Sequence, residues 1–305
     1  MYRRYTLDEV KHKIIDVLQN QGTGLSGIEL ADKTEINRMT ITKYLDVLYT
    51  MGLVKKKKVG SVNVWFLETG VADIEFPINH SQIQQKLMNA VLGGEESQAR
   101  TIIISVLNSA GDKTKILTEV ILPIANTIIE LYNRGRLDKT ERILLLNVIY
   151  ELISLVKFNV HVQDKDIKAG AHVMSVAGSE DMVYVAKSTA VAFHILGWSS
   201  TYIGNVEDHI DPFFDIDFQR YISKRWGDKR GMMILCLFSS GEGSLRFMSS
   251  IIKTMKGRVK GELRLVVYTT AELQHIAEEA EVDYLAKDMQ SVVDWAEREY
   301  SARKR

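Results

Sequence analysis

The chain has 305 residues, enough for two or three cores, and its 46 % hydrophobic and 26 % charged residues are the balance of an ordinary globular protein. Its formal net charge of zero excludes a global electrostatic pull on nucleic acid or an anionic membrane. A single cysteine, Cys236, excludes an intrachain disulfide framework and points to a reducing, cytoplasmic compartment.

No signal peptide is expected, because Tyr2-Arg3-Arg4-Tyr5 runs into a charged helix, and no apolar run is expected to be long enough for a bilayer. The charge is uneven: residues 1–70 carry 11 Lys/Arg against 8 Asp/Glu, about +3, which leaves the remainder at about −3. Thr6, with Glu9 three residues on, forms a capping box for a first helix whose stripe is Val10, Ile14, Ile15 and Leu18. Gln21-Gly22-Thr23-Gly24 breaks it. A second helix follows from about Ser26, with Ile28, Leu30 and Ala31 inward, then a turn over Lys33–Ile36.

The stretch Ile36–Val54 holds the next helix. Ile36, Ile41, Leu45 and Leu48 make one apolar stripe, and Asn37, Arg38, Thr40, Thr42 and Lys43 crowd the other face. Gly52 ends it, and Leu53–Lys58 and Ser61–Leu67 read as two strands around Val59-Gly60. The spacing of Ile36, Thr40-Ile41, Leu45 and Met51-Gly52-Leu53-Val54 resembles the winged helix-turn-helix regulators of archaea and bacteria over residues 1–70. That resemblance implies double-stranded DNA as partner. Asn37, Arg38, Thr40, Thr42 and Lys43 would face the major groove, and Lys55, Lys57, Ser61 and Asn63 of the hairpin would face the minor groove or backbone. Strand alternation lets at most half of Lys55–Lys58 face one groove, and the run reads equally as a solvated edge that blocks unwanted pairing. Some winged helices bind protein instead.

Residues 80–162 read as four amphipathic helices: Ser81–Leu92, Glu95–Leu107, Lys115–Tyr132 around Pro123, and Lys139–Val156, with breaks at Gly93-Gly94, Gly111 and Gly135. A four-helix bundle is expected. Leu87–Leu92, Gly94, Ala99, Ile116-Leu117, Val120, Leu122-Pro123, Ile129-Glu130-Leu131-Tyr132 and Gly135 resemble the helical cap that precedes cobalamin-binding domains in methionine synthases, corrinoid methyltransferase proteins and cobalamin photoreceptor repressors. In that family a tryptophan stacks on the upper axial ligand and a Glu-His pair follows. Here those positions hold Tyr132 and Arg142-Ile143.

Residues 166–305 alternate strand and helix. The strands are His172–Ala177, Ser199–Ile203, Met232–Phe238, Leu263–Tyr268 and Val282–Leu285; the helices are Met182–Leu196, Phe214–Trp226, Ser244–Met255, Ala271–Ala280 and Met289–Arg303. The pattern predicts a flavodoxin-like five-stranded parallel sheet with a ligand crevice at the carboxyl ends of the strands. This layout resembles the cobalamin-binding Rossmann-like domain. Its Asp/Glu-x-His-x-x-Gly turn falls on Gly178-Ser179-Glu180-Asp181-Met182-Val183-Tyr184, with Asp181 at the histidine and Tyr184 at the glycine. The later Gly-Gly falls near Tyr268-Thr269-Thr270, and only Phe238-Ser239-Ser240 keeps the hydroxyl character of the middle motif. Carboxylate is a poor substitute for imidazole on cobalt. Ser239–Ser244 opens a helix and reads either as a cap or as an anion site. His172, His194 and His209 read either as metal ligands or as packed side chains.

The expectation is therefore a multidomain α and α/β chain: winged helix at 1–70, four-helix cap at 80–162, Rossmann-like domain at 166–305. The expected function is DNA-binding transcription regulation, with the C-terminal half a sensor or dimerisation module. Tyr132, Arg142, Asp181, Tyr184, Ser239, Ser240 and Thr269 are the candidate cleft residues. No cofactor and no metal are expected, with cobalamin or haem as alternatives. The expected partners are double-stranded DNA, a second copy or a higher homo-oligomer, and a small effector or a protein, with no membrane. No Ser-His-Asp or Cys-His set and no zinc-ligand spacing is present, so no catalysis is expected. A corrinoid methyl-transfer protein and a purely architectural DNA-binding protein are the competing readings.

Overall fold

The structure, a computed structural model, describes residues 6–19, 24–51, 53–59, 62–67, 80–107, 112–160, 162, 166–226, 231–256, 258–259 and 261–303. Gln21–Thr23, Gly52, Gly60, Ser61 and Gly111 therefore lie outside the described residues. The chain divides into two units, Met1–Val120 and Ile121–Arg305.

In the first unit, α1 (Leu7–Gln19) starts at the expected capping box: Thr6 N–H donates to Glu9 Oε2 at 2.9 Å and Glu9 N–H to Thr6 Oγ1 at 3.3 Å. A second capping box, Ser26 with Glu29, starts α2 (Gly27–Thr34). That cap sets the phase of this short helix so that Leu30 and Thr34, one turn apart, go inward. Ile28 is consequently 48 % exposed, against the expectation that it points inward. Glu35 takes φ 58° at the helix end and turns the chain into α3 (Arg38–Thr50), which buries Ile41, Leu45 and Leu48.

The hairpin β2 (Val54–Val59) and β3 (Val62–Leu67) follows. Leu25–Ser26 adds a strand, β1, giving a sheet of order β1-β3-β2. Two residues are too few for any periodicity to announce. Val10, Ile14, Leu30, Ile41, Leu45, Leu48 and Trp65 share one core. Beyond it, α4 (His80–Leu92) packs on α5 (Glu96–Leu107).

The expected helix over Lys115–Tyr132 is present and carries a π-helical segment, Ile116–Ile121, that runs directly into α6 (Leu122–Asn133). Pro123 can neither donate to the carbonyl four residues back nor clear it sterically, and a π-turn absorbs the misfit. Ile116–Asn133 is long and apolar enough to cross a membrane by length and composition alone, but Glu119 and Glu130 interrupt it and 39 % of it is buried within the protein. α6 packs on α7 (Lys139–Asn159), which starts at the capping box of Asp138 and Glu141.

The remainder is a five-stranded parallel sheet: β4 (Ala171–Ala177), β5 (Ser199–Asn205), β6 (Met232–Ser239), β7 (Glu262–Thr269) and β8 (Tyr284–Ala286), in the order β5-β4-β6-β7-β8. This is the expected flavodoxin-like topology. All eight residues of β6 are buried, as its unbroken apolar run requires of a central parallel strand. The sheet's residues alternate between faces. Met174, Val176, Leu235, Leu237, Leu265 and Val267 pack with α9 (Pro212–Trp226), α10 (Glu242–Lys256) and α11 (Gln274–Glu279). On the other face α8 (Val183–Ile195) packs against α12 (Met289–Arg303), and Ser175 Oγ donates to Ala186 O at 2.6 Å. The last strand begins later than the expected Val282, because Asp283 is spent as a clasp: its N–H donates to Leu265 O and its carboxylate accepts from Leu265 N–H at 2.7 Å.

Candidate functional site

Two surfaces, one in each unit, collect the residues singled out above. In the first unit, Asn37, Arg38, Thr42 and Lys43 are exposed along the start of α3, and Thr40 is half-buried. Asn37 serves as the N-cap, its Oδ1 accepting from Met39 N–H at 2.8 Å, so its amide NH2 is what it presents outward. Thr42 donates back to Arg38 O at 2.9 Å. Met39, which the polar pattern gave no reason to choose, is 83 % exposed among them. An exposed thioether there offers apolar contact of the kind a thymine methyl accepts.

Register settles which face each wing residue takes. Lys56 lies opposite Trp65 and Lys58 opposite Asn63, whereas Lys55 lies opposite Phe66 and Lys57 opposite Val64. Residues directly opposite in an antiparallel pair share a face. Asn63 is therefore on the face of Lys56 and Lys58, away from Lys55 and Lys57. Lys56 is the wing cation that reaches α3: its Nζ sits 4.5 Å from the Tyr49 ring centroid and 5.6 Å from that of Trp65. Ser61 lies outside the described residues.

In the second unit the carboxyl ends of β4 and β6 meet where the strand order reverses. Here the Gly178-to-Met182 turn is stitched to the Ser239-Ser240-Gly241 turn. Ser239 Oγ and Ser244 Oγ are 2.7 Å apart, Ser244 Oγ donates to Gly178 O at 2.6 Å, and Ser240 Oγ donates to Asp181 Oδ1 at 2.7 Å. Ser240 N–H donates to Ser179 Oγ at 2.9 Å. A Cβ on Gly178 would stand 2.8 Å from Ser239 Cβ and 3.0 Å from Ser244 Cβ, so the two turns touch through a bare glycine. The Ser239–Ser244 loop uses its hydroxyls on these internal bonds, which is the cap reading. Thr269 pairs with Ser239 on the next strand, is buried, and its Oγ1 has no partner.

Beside this lies a second cluster that α6 and α7 share with the same turn. The Arg142 guanidinium sits 4.9 Å from the Tyr132 ring centroid and 3.7 Å from Glu180 Oε1, and its buried Nε has no partner. Burial pushes the Tyr184 phenol up to about 12, with Arg142 opposing that rise and Glu180 and Tyr150 adding to it. Glu180, the residue that ties Arg142 to the turn, escaped the sequence reading because it is one carboxylate in an acidic pair.

A buried lysine escaped it as well. Lys187 is 7 % exposed in α8; its Nζ donates to Ser154 Oγ at 2.6 Å and Tyr150 O at 3.1 Å, over the Tyr150 ring. Burial, with Lys157 adding like-charge repulsion, holds it down to about 8. Between about pH 8 and the unfolded lysine value near 10.4 the unfolded chain binds the extra proton, so this group makes stability rise with pH there. Denaturant melts at pH 8 and pH 9.5 are expected to give a gain, on the order of 1–3 kcal/mol, relative to Lys187→Met, which lacks the titrating group. Parallel pH dependence in both proteins rules the lysine out as its source.

The three histidines are apart: His172 is half-buried in β4, His194 half-buried in α8 and His209 exposed. Among the described residues no group of three His, Cys, Asp or Glu is placed to hold a metal ion.

Compared with known proteins, residues 10–61 match the HTH domain family, and no curated protein matches. Among solved structures the chain is similar to the Methanosarcina barkeri monomethylamine corrinoid protein, at 10 % identity and a TM-score of 0.53, over 73 % of this chain and all of that one. A cobalamin-binding protein from Desulfitobacterium hafniense aligns at 11 % identity and a TM-score of 0.34, over 72 % of this chain and 98 % of that one. The methanol:cobalamin methyltransferase complex of Methanosarcina barkeri aligns at 13 % and 0.35, over 87 % of this chain and 93 % of that one. The chain thus joins an N-terminal helix-turn-helix domain to a half with a corrinoid-protein-like fold. The residues present do not fit histidine-ligated cobalamin: Asp181 is bonded to Ser240, Arg142 is stacked on Tyr132, and a tyrosine fills the glycine position at Tyr184.

Proposed function

We propose that the chain is a DNA-binding transcription regulator whose corrinoid-fold half acts as a sensor or dimerisation module without histidine-ligated cobalamin. The observation that carries this reading is the exposed run Arg38, Met39, Thr42 and Lys43 on the helix that follows the α2–α3 turn, with the wing cation Lys56 alongside. Polar and basic side chains on a helix otherwise anchored by Ile41, Leu45 and Leu48 are what base-edge and phosphate contact requires. A homodimer would place two such helices on a pseudo-palindromic site, and an effector or protein partner would bias their spacing. The reading assigns no catalytic step and a cytoplasmic location, in keeping with one buried thiol.

The test is selection of sites from a random duplex library by the full chain, followed by native mass and absorbance spectra with hydroxocobalamin and haem. The expected result is an enriched two-fold-symmetric site, a dimer, and no spectral change with either tetrapyrrole. Affinity no better for any selected duplex than for bulk DNA would sink the regulator; spectral uptake of cobalamin or haem would make the C-terminal half a tetrapyrrole sensor.

A further inference from the structure

The parallel sheet has an opposite end, and a cavity of about 650 Å³ opens there. It is formed where α7 runs out (Lys157, Phe158 and Val160), with Val162 and Ile167, and where α8 turns into β5 (His194, Gly197, Trp198 and Ser199). Because every strand of the sheet is parallel, the start of β5 marks the amino-terminal end, remote from the Gly178, Ser239 and Thr269 turns. The volume falls within the range of small-molecule sites.

Its wall is rigid. Trp198 is 3 % exposed, packs edge-on against Phe193 at 5.2 Å and lies tilted against Tyr300 at 5.4 Å. Its Nε1–H donates to Glu297 Oε1 at 2.6 Å, and Lys168 Nζ holds the same carboxylate at 2.6 Å. Gly197, at φ +81°, lets the turn pass directly under the Asp166 carbonyl. A wall fixed by packing and hydrogen bonds loses little entropy when a ligand arrives.

Among the described residues its rim is apolar and exposed. Phe158 is 77 % and Ile167 56 % exposed, side by side with half-buried Val162. Into this apolar rim come a cation and an imidazole. Lys157 has no carboxylate partner among the described residues. His194 is bonded to the Val160 backbone, and burial together with Lys157 lowers its pKa, with the Val160 bond opposing that fall. Among the described residues the positive charge of Lys157 thus has no carboxylate beside the apolar hollow, and an anionic group on an apolar body complements both.

We propose that this cavity binds an amphipathic carboxylic acid, its apolar body lying against Trp198, Phe158, Val160 and Ile167 and its carboxylate paired with Lys157. The proposal is independent of the reading of the carboxyl-end cluster and of DNA binding.

The experiment is titration calorimetry of the full chain with decanoate, decan-1-ol and acetate, each below its aggregation limit. Decanoate is expected to bind, decan-1-ol roughly tenfold more weakly for want of the charge-assisted pair, and acetate not at all. Lys157→Met, which keeps the stem and removes the charge, is expected to abolish the difference between decanoate and decan-1-ol. Ser199→Trp, which fills the mouth, is expected to abolish both. The Lys157→Met protein must retain the parent melting temperature, as a substitution on a half-buried side chain with no carboxylate partner among the described residues should. No heat with decanoate, or decanoate affinity indifferent to Lys157→Met, overturns the proposal.

Discussion

Alanine at both Arg38 and Lys43 is expected to cost about a hundredfold in affinity for the selected duplex and to flatten the salt dependence by about two phosphate contacts. Both side chains project from the first two turns of α3, where they are exposed while Ile41 between them and Leu45 just beyond are anchored in the core. Neither carries packing, so the fold should be untouched and the loss should fall on binding alone. Lys56→Ala separates the wing from the helix. That cation lies over Tyr49 and Trp65, and its removal should weaken all duplexes by a similar factor rather than relax sequence preference. Fluorescence anisotropy at several salt concentrations decides it, with Lys253→Ala on α10 as the control. Full affinity in the double variant would remove α3 from the interface.

Gly197→Ala is expected to be the most damaging small substitution in the second unit, at about 3–5 kcal/mol. Two costs coincide. The φ of +81° is one that an L side chain rarely adopts, and the added Cβ would stand 2.0 Å from the Asp166 carbonyl oxygen, a backbone atom with no rotamer to escape into. The Lys168 N–H also donates to Gly197 O at 2.8 Å, which ties the two segments together so that neither can withdraw alone. Thermal melts should show a midpoint lowered by many degrees. A near-parental midpoint would mean that residues 166–168 yield easily, and with them one wall of the amino-end cavity.

The parts of the fold that follow from repetition were legible in the sequence. Val10, Ile14, Ile15 and Leu18 announced α1, Ile41, Leu45 and Leu48 announced α3, and Met232–Phe238 announced a central strand, because burial on one face or two leaves a period behind. Thr6 with Glu9 was legible because a capping box is a local contract between two residues. What escaped depends on partners distant in the chain or on a single backbone event. β1 exists only because Trp65 and Val64 accept it as a neighbour. The π-turn before Pro123 needs a geometry that composition does not encode. The separation of Lys55 and Lys57 from Asn63 follows from a register that alternation alone leaves open. At the carboxyl-end turns the residue types were readable, but the bond from Ser240 to Asp181 that diverts the carboxylate spans fifty-nine positions. Arg142 was nominated together with Tyr132 but without Glu180, because an ion pair between α7 and a distant turn leaves no spacing in the sequence.

The lone cysteine has a practical consequence. Cys236 is fully buried at the middle of β6, between β4 and β7, and burial raises its thiol far above the usual range. In the native protein it is neither accessible nor ionised, so a thiol reagent can reach it only when the sheet comes apart. The helix-turn-helix domain carries no cysteine. Labelling by thiol reagent is thus a clock that runs only on the opening of the C-terminal half, and it can time how far an effector or a bound duplex slows that opening without any engineered probe.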